Sequence, residues 1–231
     1  MKKIGFLLII SLLLITHSFS QGYMYNRGLV SLSIGLSIPS YGFGNNDGIN
    51  LSSYAKLGTT ISGEVSYFSS KHVGFGFILN YNVNPIDDDK LANAYRIQSP
   101  AFIDIDVTSK PFSDIAGVAG FIFDMPFNDY VSFTVRMMGG LRNVYKPSVL
   151  IQTKTIYTSI DYYETHTNDV VFAFLFGFGV KYAINDIMNV HFNSSYMGSM
   201  LELDYMRNKR EVNQEAHLGA LSLLFGASYA F

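Results

Sequence analysis

Apolar and polar residues alternate with a period of two along most of this chain. In "LVSLSIGLSIP", Val30, Leu32, Ile34, Leu36 and Ile38 share one face, and Ser31, Ser33, Gly35 and Ser37 share the other. "LGTTISGEVSY" repeats the pattern, setting Leu57, Ile61, Val65 and Tyr67 against Thr60, Ser62, Glu64 and Ser66. Period-two alternation predicts half-buried strands. Further strands are expected over 73–83, 115–123, 130–141 and 170–184, from about 189, and over 221–231. The clearest is "VVFAFLFGFGVKYAI", with Val170, Phe172, Phe174, Phe176, Phe178, Val180 and Tyr182 on one face. Ala173, Gly177, Gly179 and Lys181 occupy its other face. The least clean is "IAGVAGFIF", which is apolar on both.

The links between these strands alternate in length. Short ones cover 69–72, 124–129 and 185–189, and long ones 39–56, 84–114, 142–169 and about 198–216. Eight strands joined this way place both ends of the sheet on the side of the short turns. Two stretches inside the long links, "AFIDIDVTS" and "SVLIQTKTIYTS", also alternate, which leaves ten strands as the second expectation.

Polarity decides which face is outside. A water-soluble barrel buries its bulky apolar face and shows Lys and Glu to solvent. Here the second face is built from Ser, Thr, Gly and Asn, too small and too weakly charged for a solvated exterior. The apolar face therefore points outward into lipid, and the small polar face fills a lumen. The fold expected is an eight-stranded antiparallel transmembrane β-barrel.

The composition supports that reading. Of 231 residues only 15% are charged, while 15% are aromatic, with 16 Tyr, 19 Phe and no Trp. The chain begins "MKK", then "IGFLLIISLLLIT", then "HSFSQG". A positive start, an apolar run and small residues form the pattern of a secretory signal peptide, expected over 1–20, with the barrel domain over 21–231. Beyond it no apolar run approaches the about 20 residues that a transmembrane helix needs, so a closed barrel is the remaining way to satisfy the backbone in lipid. Without Lys2 and Lys3 the chain carries 14 basic and 18 acidic side chains, a balance that does not suit nucleic acid. The absence of cysteine rules out disulfides, thiolate metal sites, a Cys nucleophile and a lipidated Cys.

The last strand, "LSLLFGASYAF", ends on Phe231, with Tyr229, Ala227 and Phe225 on the same face. That arrangement is similar to the C-terminal signature of bacterial outer-membrane proteins. "GFGVKYAINDIMNVHFNSSY" and "DMPFNDYVSFTVRMMGGL" resemble hairpins of the small outer-membrane β-barrel superfamily common in the Bacteroidetes, related to the OmpA transmembrane domain and OmpX. The resemblance implies residence in the outer membrane, contact with its lipid, and recognition of the last strand through Phe225, Tyr229 and Phe231 by the barrel-assembly machinery. It implies no activity.

The candidate chemistry is sparse. Gly177-Phe178-Gly179 and Gly74-Phe75-Gly76 lack the third glycine of a phosphate cradle and lie within strands. Asp87, Asp88 and Asp89 lack the alternating ligand spacing of a Ca²⁺ loop and read as a solvated loop tip. Glu64, Arg136, Lys181 and His191 all face the lumen. Buried charges need partners, so a Glu64–Arg136 or Glu64–Lys181 pair is expected as a plug. "HFNSS" suggests a hydrolase, since outer-membrane lipid A deacylases and phospholipases carry His-x-Ser with an acidic or amide partner. Here Asn193 stands in the serine position, Ser194 faces lipid, and Glu202 lies further along. No metal, cofactor or catalytic residue is expected. The function expected is a non-enzymatic structural or surface-interaction role, with an unidentified extracellular ligand met by long loops rich in Tyr and Asn. A narrow porin-like channel is the alternative, and a lipid hydrolase a more remote one.

Overall fold

The computed structural model describes residues 27–40, 54–98, 104–145, 148–154, 159–164, 168–207 and 210–231. The signal peptide expected over 1–20 and the start of the mature chain at Gln21 lie outside these residues. In chain order the elements are β1 (Gly28–Pro39), β2 (Gly58–Phe68), β3 (Val73–Asn84), α1 (Asp88–Gln98), β4 (Asp104–Ser109) and β5 (Phe112–Pro126). They continue as β6 (Val131–Tyr145), β7 (Val149–Lys154), β8 (Ser159–Glu164), β9 (Asp169–Ala183), β10 (Met188–Arg207) and β11 (Arg210–Ala230).

Eight strands close into an all-antiparallel barrel in the order β1-β11-β10-β9-β6-β5-β3-β2. The closing seam joins the first strand to the last, from Leu29↔Ala230 to Pro39↔Ala220. Gly28 and Phe231 exchange backbone hydrogen bonds of 2.8 and 2.9 Å at its end. The Phe231 ring fills the space that a side chain at Gly28 would need. Both ends of the described barrel thus lie beside the short turns, as the count of eight requires. Two of these turns close on an Asn side chain. Asn128 Oδ1 accepts from the amides of Tyr130 and Val131, and Asn185 Oδ1 accepts from those of Ile187 and Met188.

The barrel is apolar outside and polar inside. Leu32, Ile34, Phe75, Phe121, Phe178 and Phe225 are all more than half exposed, whereas Ser33, Ser62, Asn80, Thr134 and Asn193 are buried. No outward residue is charged over 30–38, 57–67, 73–83, 115–125, 131–141, 170–182, 188–196 or 221–231. A charge at the midplane of that face would cost about 2–4 kcal/mol. Rings gather next to the short turns, where Tyr130 stacks on Tyr182 and Phe127 meets Phe133 edge-on, forming part of an interfacial girdle. A closed antiparallel barrel with this inverted polarity is a membrane-spanning barrel.

Two expectations need correction. "AFIDIDVTS" and "SVLIQTKTIYTS" do not add strands to the barrel. They supply β4 and β7 of a separate three-stranded sheet in the order β4-β7-β8, built from the second and third long links. Their alternation serves a second core, in which Ile105, Val107, Val149 and Ile151 pack against Ile86, Leu91 and Ala92, with Tyr54, Tyr95 and Phe112 around them. This assembly, called the cap below, is tied to the first long link by the Ala55↔Ile86 bridge. The link expected over 198–216 is also largely strand. β10 and β11 remain paired to Arg207↔Arg210, while β9 leaves β10 at Ser199↔Ala173. At about 3.3 Å per residue, the ribbon runs roughly 26 Å past that point. Beyond lipid a strand has no need of an apolar outer face, so the membrane pattern stops while the hydrogen-bond ladder goes on.

Candidate functional site

The lumen is layered. Nearest the short turns, Arg136 reaches across from β6 to β2 and donates from Nε to Glu64 Oε2 at 2.9 Å. Its Nη1 donates to Thr134 Oγ1 at 2.9 Å and Asn193 Oδ1 at 3.0 Å. Gly179 makes this possible, because a side chain there would collide with Asn193 Oδ1 and Thr134 Oγ1 and crowd the guanidinium. Lys181 does not pair with Glu64. It meets Asp124 Oδ2 at 2.5 Å, with the Phe68 ring 5.8 Å away. His191 Nε2 lies 2.8 Å from Ser33 Oγ, two strands away across β11. Glu64, Arg136, Lys181 and His191 therefore do share one compartment, around a cavity of about 20 Å³ into which the unpartnered hydroxyls of Ser66 and Ser228 also face. That volume holds about one water molecule.

Above this compartment lies an apolar layer. Ile78, Val118, Met138, Leu175 and Met197 belong to one buried cluster with Ala116 and Ala173, each 6% exposed or less. The expectation of a wholly polar lumen is thus modified, and the segment that read as apolar on both faces is part of the reason. Ala116, Val118 and Ile122 of β5 all point inward.

A second ionic compartment lies at the cap end. Arg142 donates from Nη2 to Asp114 Oδ2 at 2.7 Å, and Asn82 donates to Asp114 Oδ1 at 2.8 Å. Thr60 Oγ1 donates to Asn82 Oδ1 at 2.7 Å and sits 3.4 Å from Ser222 Oγ. The other Arg142 amino group, Nη1, donates to Ser199 Oγ and Leu218 O, each at 3.3 Å. These bonds link β11, β2, β3, β5, β6 and β10 into a hydrogen-bonded belt. A second cavity of about 20 Å³ adjoins it. Asp114, Asp124 and Arg142 fall in the expected links because β5 and β6 run further than the expected strands. The signal was present: each sits an even number of residues from an inward neighbour, Ala116, Ile122 and Arg136.

The three aspartates read as a loop tip instead begin α1. Asp87 is the N-cap, its carbonyl accepting from the Leu91 amide at 2.9 Å and its Oδ1 from the Lys90 amide at 3.3 Å. Lys56 and Lys90 lie 3.3 and 3.4 Å from its carboxylate. Burial pushes that carboxyl up, but the Lys90 amide and the two ammonium groups together draw it below the usual carboxylate range. Asp88 accepts a hydrogen bond from the Ser109 hydroxyl. Among the described residues no group of His, Asp and Glu side chains could hold a metal ion. The side chain of Glu202, considered with the His191 motif, lies outside the described residues.

Fold and lumen together define a small transmembrane β-barrel of the outer-membrane type. No family model matches the chain, nor does any curated relative. Solved structures similar to it include OprG from Pseudomonas aeruginosa, 9% identical with a TM-score of 0.48, over 89% of this chain and 96% of that one. Neisserial surface protein A is 13% identical with a TM-score of 0.46, over 88% and 97%. Ail, the attachment invasion locus protein of Yersinia pestis, is 13% identical with a TM-score of 0.43, over 89% and 99%.

Proposed function

We propose that this chain is a non-enzymatic outer-membrane barrel whose role is surface interaction, with the cap as its recognition element. The observation that carries the proposal is the second hydrophobic core. Loops that only close a barrel need no packed interior, yet here Leu91 and Val149 are fully buried outside the barrel wall. A folded platform is what positions binding side chains.

The lumen supports the same reading. Two cavities, each of one-water size, are separated by an apolar layer, and the ionic groups on either side are paired. That favours a plug over the narrow-channel alternative. Against the hydrolase, His191 and Ser33 are enclosed in the lumen, away from any lipid ester, and Asn193 is engaged by Arg136. Under this proposal the signal peptide directs export. Outer-membrane lipid surrounds the apolar belt, and the barrel-assembly machinery engages the face bearing Phe225, Tyr229 and Phe231.

The test has two arms. Purified barrel in a planar bilayer should give no steady single-channel steps, and regular steps would overturn the closed lumen. Cells displaying the full chain should adhere to protein-coated surfaces, and cells displaying a chain with 88–109 replaced by a short Gly-Ser turn should not. Equal adherence with both barrels folded would remove the cap from its proposed role.

A further inference from the structure

Resting on that role for the cap, the free edge of its sheet points to the kind of partner it takes. β4 pairs with β7 on one side and with no described strand on the other. The Lys110 amide donates to Ser148 O at 3.0 Å, continuing the β4–β7 ladder through even-numbered residues. Alternation along an antiparallel strand then turns the backbone groups of Ile105, Val107 and Ser109 toward the free edge. Arg96 agrees, since its Nη2 donates to Ile105 O at 3.3 Å from outside the sheet.

An open cleft of about 850 Å³ adjoins this strand, lined by α1, by β4 and by Gln152 and Thr153 of β7. Among the described residues no backbone group pairs with the edge-facing N–H and C=O of Val107. An unpaired edge is a template for another strand. The walls are acidic as well. Asp88, Asp89, Asp104 and Asp106 line the cleft against Lys90 and Arg96. The Arg96 guanidinium, 3.7 Å from Asp104 and bonded to the edge carbonyl, already makes the two contacts that a cationic strand residue would make.

We propose that the cleft is a docking groove for an extended cationic peptide segment, which adds to the edge of β4 as a fourth strand. Main-chain hydrogen bonds to Ile105, Val107 and Ser109 supply attachment, and alternate side chains supply selectivity. Lys or Arg at every second position meets Asp104 and Asp106 on one face. Small residues between them pass Ala92 on the other. Arg96 occupies part of the groove until the strand arrives and displaces it.

The experiment uses the full chain in a non-ionic detergent and a labelled eight-residue peptide of alternating Lys and Ala, followed by fluorescence anisotropy. Saturable binding is expected, together with slower hydrogen exchange at the Val107 amide. N-methylation of alternate amides in one of the two phases should weaken binding tenfold or more and in the other phase should not. An alternating Glu and Ala peptide should not bind. The double variant Asp104→Asn, Asp106→Asn should weaken binding severalfold, and Arg96→Ala should strengthen it severalfold.

Equal binding of both N-methylated peptides would overturn strand addition, and weaker binding by Arg96→Ala would overturn displacement. No saturable binding, with the Leu91 amide still protected from exchange, would overturn this inference and leave the surface role standing. Channel steps, or adherence that survives removal of 88–109, would instead strike the reading beneath it.

Discussion

The barrel and the cap use the same period-two alternation with opposite polarity. In β2 the residues turned away from the interior are Ile61, Val65 and Tyr67, whereas in β4 they are Asp104, Asp106 and Thr108. Inside, β2 offers Thr60, Ser62 and Glu64, and β4 offers Ile105 and Val107. The difference is one of surroundings. A strand in lipid keeps its charges in the lumen, where they must be paired. A strand in water covers its apolar side, and does so here with α1. The barrel's interior is consequently held by directional contacts within two ionic compartments and by the apolar layer between them, and the cap's by packing alone.

The largest effect that would break this comparison belongs to the barrel. Asp114→Ala leaves Arg142 buried without its carboxylate, and removing one partner of a buried pair costs about 3–5 kcal/mol. The temperature at which the barrel loses its fast-migrating form in an unboiled SDS gel should fall markedly. An unchanged temperature would show that the belt of hydrogen bonds does not hold the wall. Next is Leu91→Ala in the cap, where removing a fully buried leucine costs about 2–5 kcal/mol. Exchange protection should vanish from α1 and β4 while the gel shift stays as it was. A lost gel shift would mean that barrel and cap are one cooperative unit.

The third test swaps the surroundings directly. Leu79→Arg places a charge on the lipid face and should cost about 2–4 kcal/mol. Thr108→Arg, on the exposed face of β4, should stay within about 0.5 kcal/mol. Similar losses from both, in urea unfolding, would erase the distinction between the two exteriors.

The smallest effect concerns Asp87. Its carboxyl is held below the ordinary value, so its contribution is complete above the unfolded value of about 3.9 and is lost as pH falls through the folded value. Protection of the Leu91 amide should therefore decline on acidification below about pH 4. Asp87→Ala should remove the pH dependence and cost about 0.5–2 kcal/mol as a lost N-cap.

How far the sequence could be read follows from the same contrast. Every barrel strand announced itself where lipid enforces an apolar outer face, and so did the inward positions of Glu64, Arg136, Lys181 and His191. Pairing was less legible. Glu64 takes Arg136 because that side chain crosses the lumen from the opposite wall, while Lys181 takes Asp124, which lies in an expected turn. Where lipid ends the rule ends, so β10 and β11 read as a link from Gly198 onward although their ladder continues. β4 and β7 were recognised as alternating, but nothing in a single strand says which sheet it joins. Asp87 and its neighbours differ from expectation for a plainer reason. An acidic run before "KLANAYRI" suits a helix start as well as an exposed loop tip, and Asp87 takes the N-cap.

The seam between β1 and β11 has a consequence in time. Leu29 and Ala230 are partners about two hundred residues apart, and the seam that runs from them to Pro39 and Ala220 closes the cylinder. Until they meet, the chain is an open sheet with two bare edges and a lumen whose charges lack their cross-wall partners. Pairing over such separations is slow, so completion of the wall waits on the joining of the first strand to the last. The exchange of hydrogen bonds between Gly28 and Phe231 thus bears on when insertion ends as much as on how firmly the finished barrel holds.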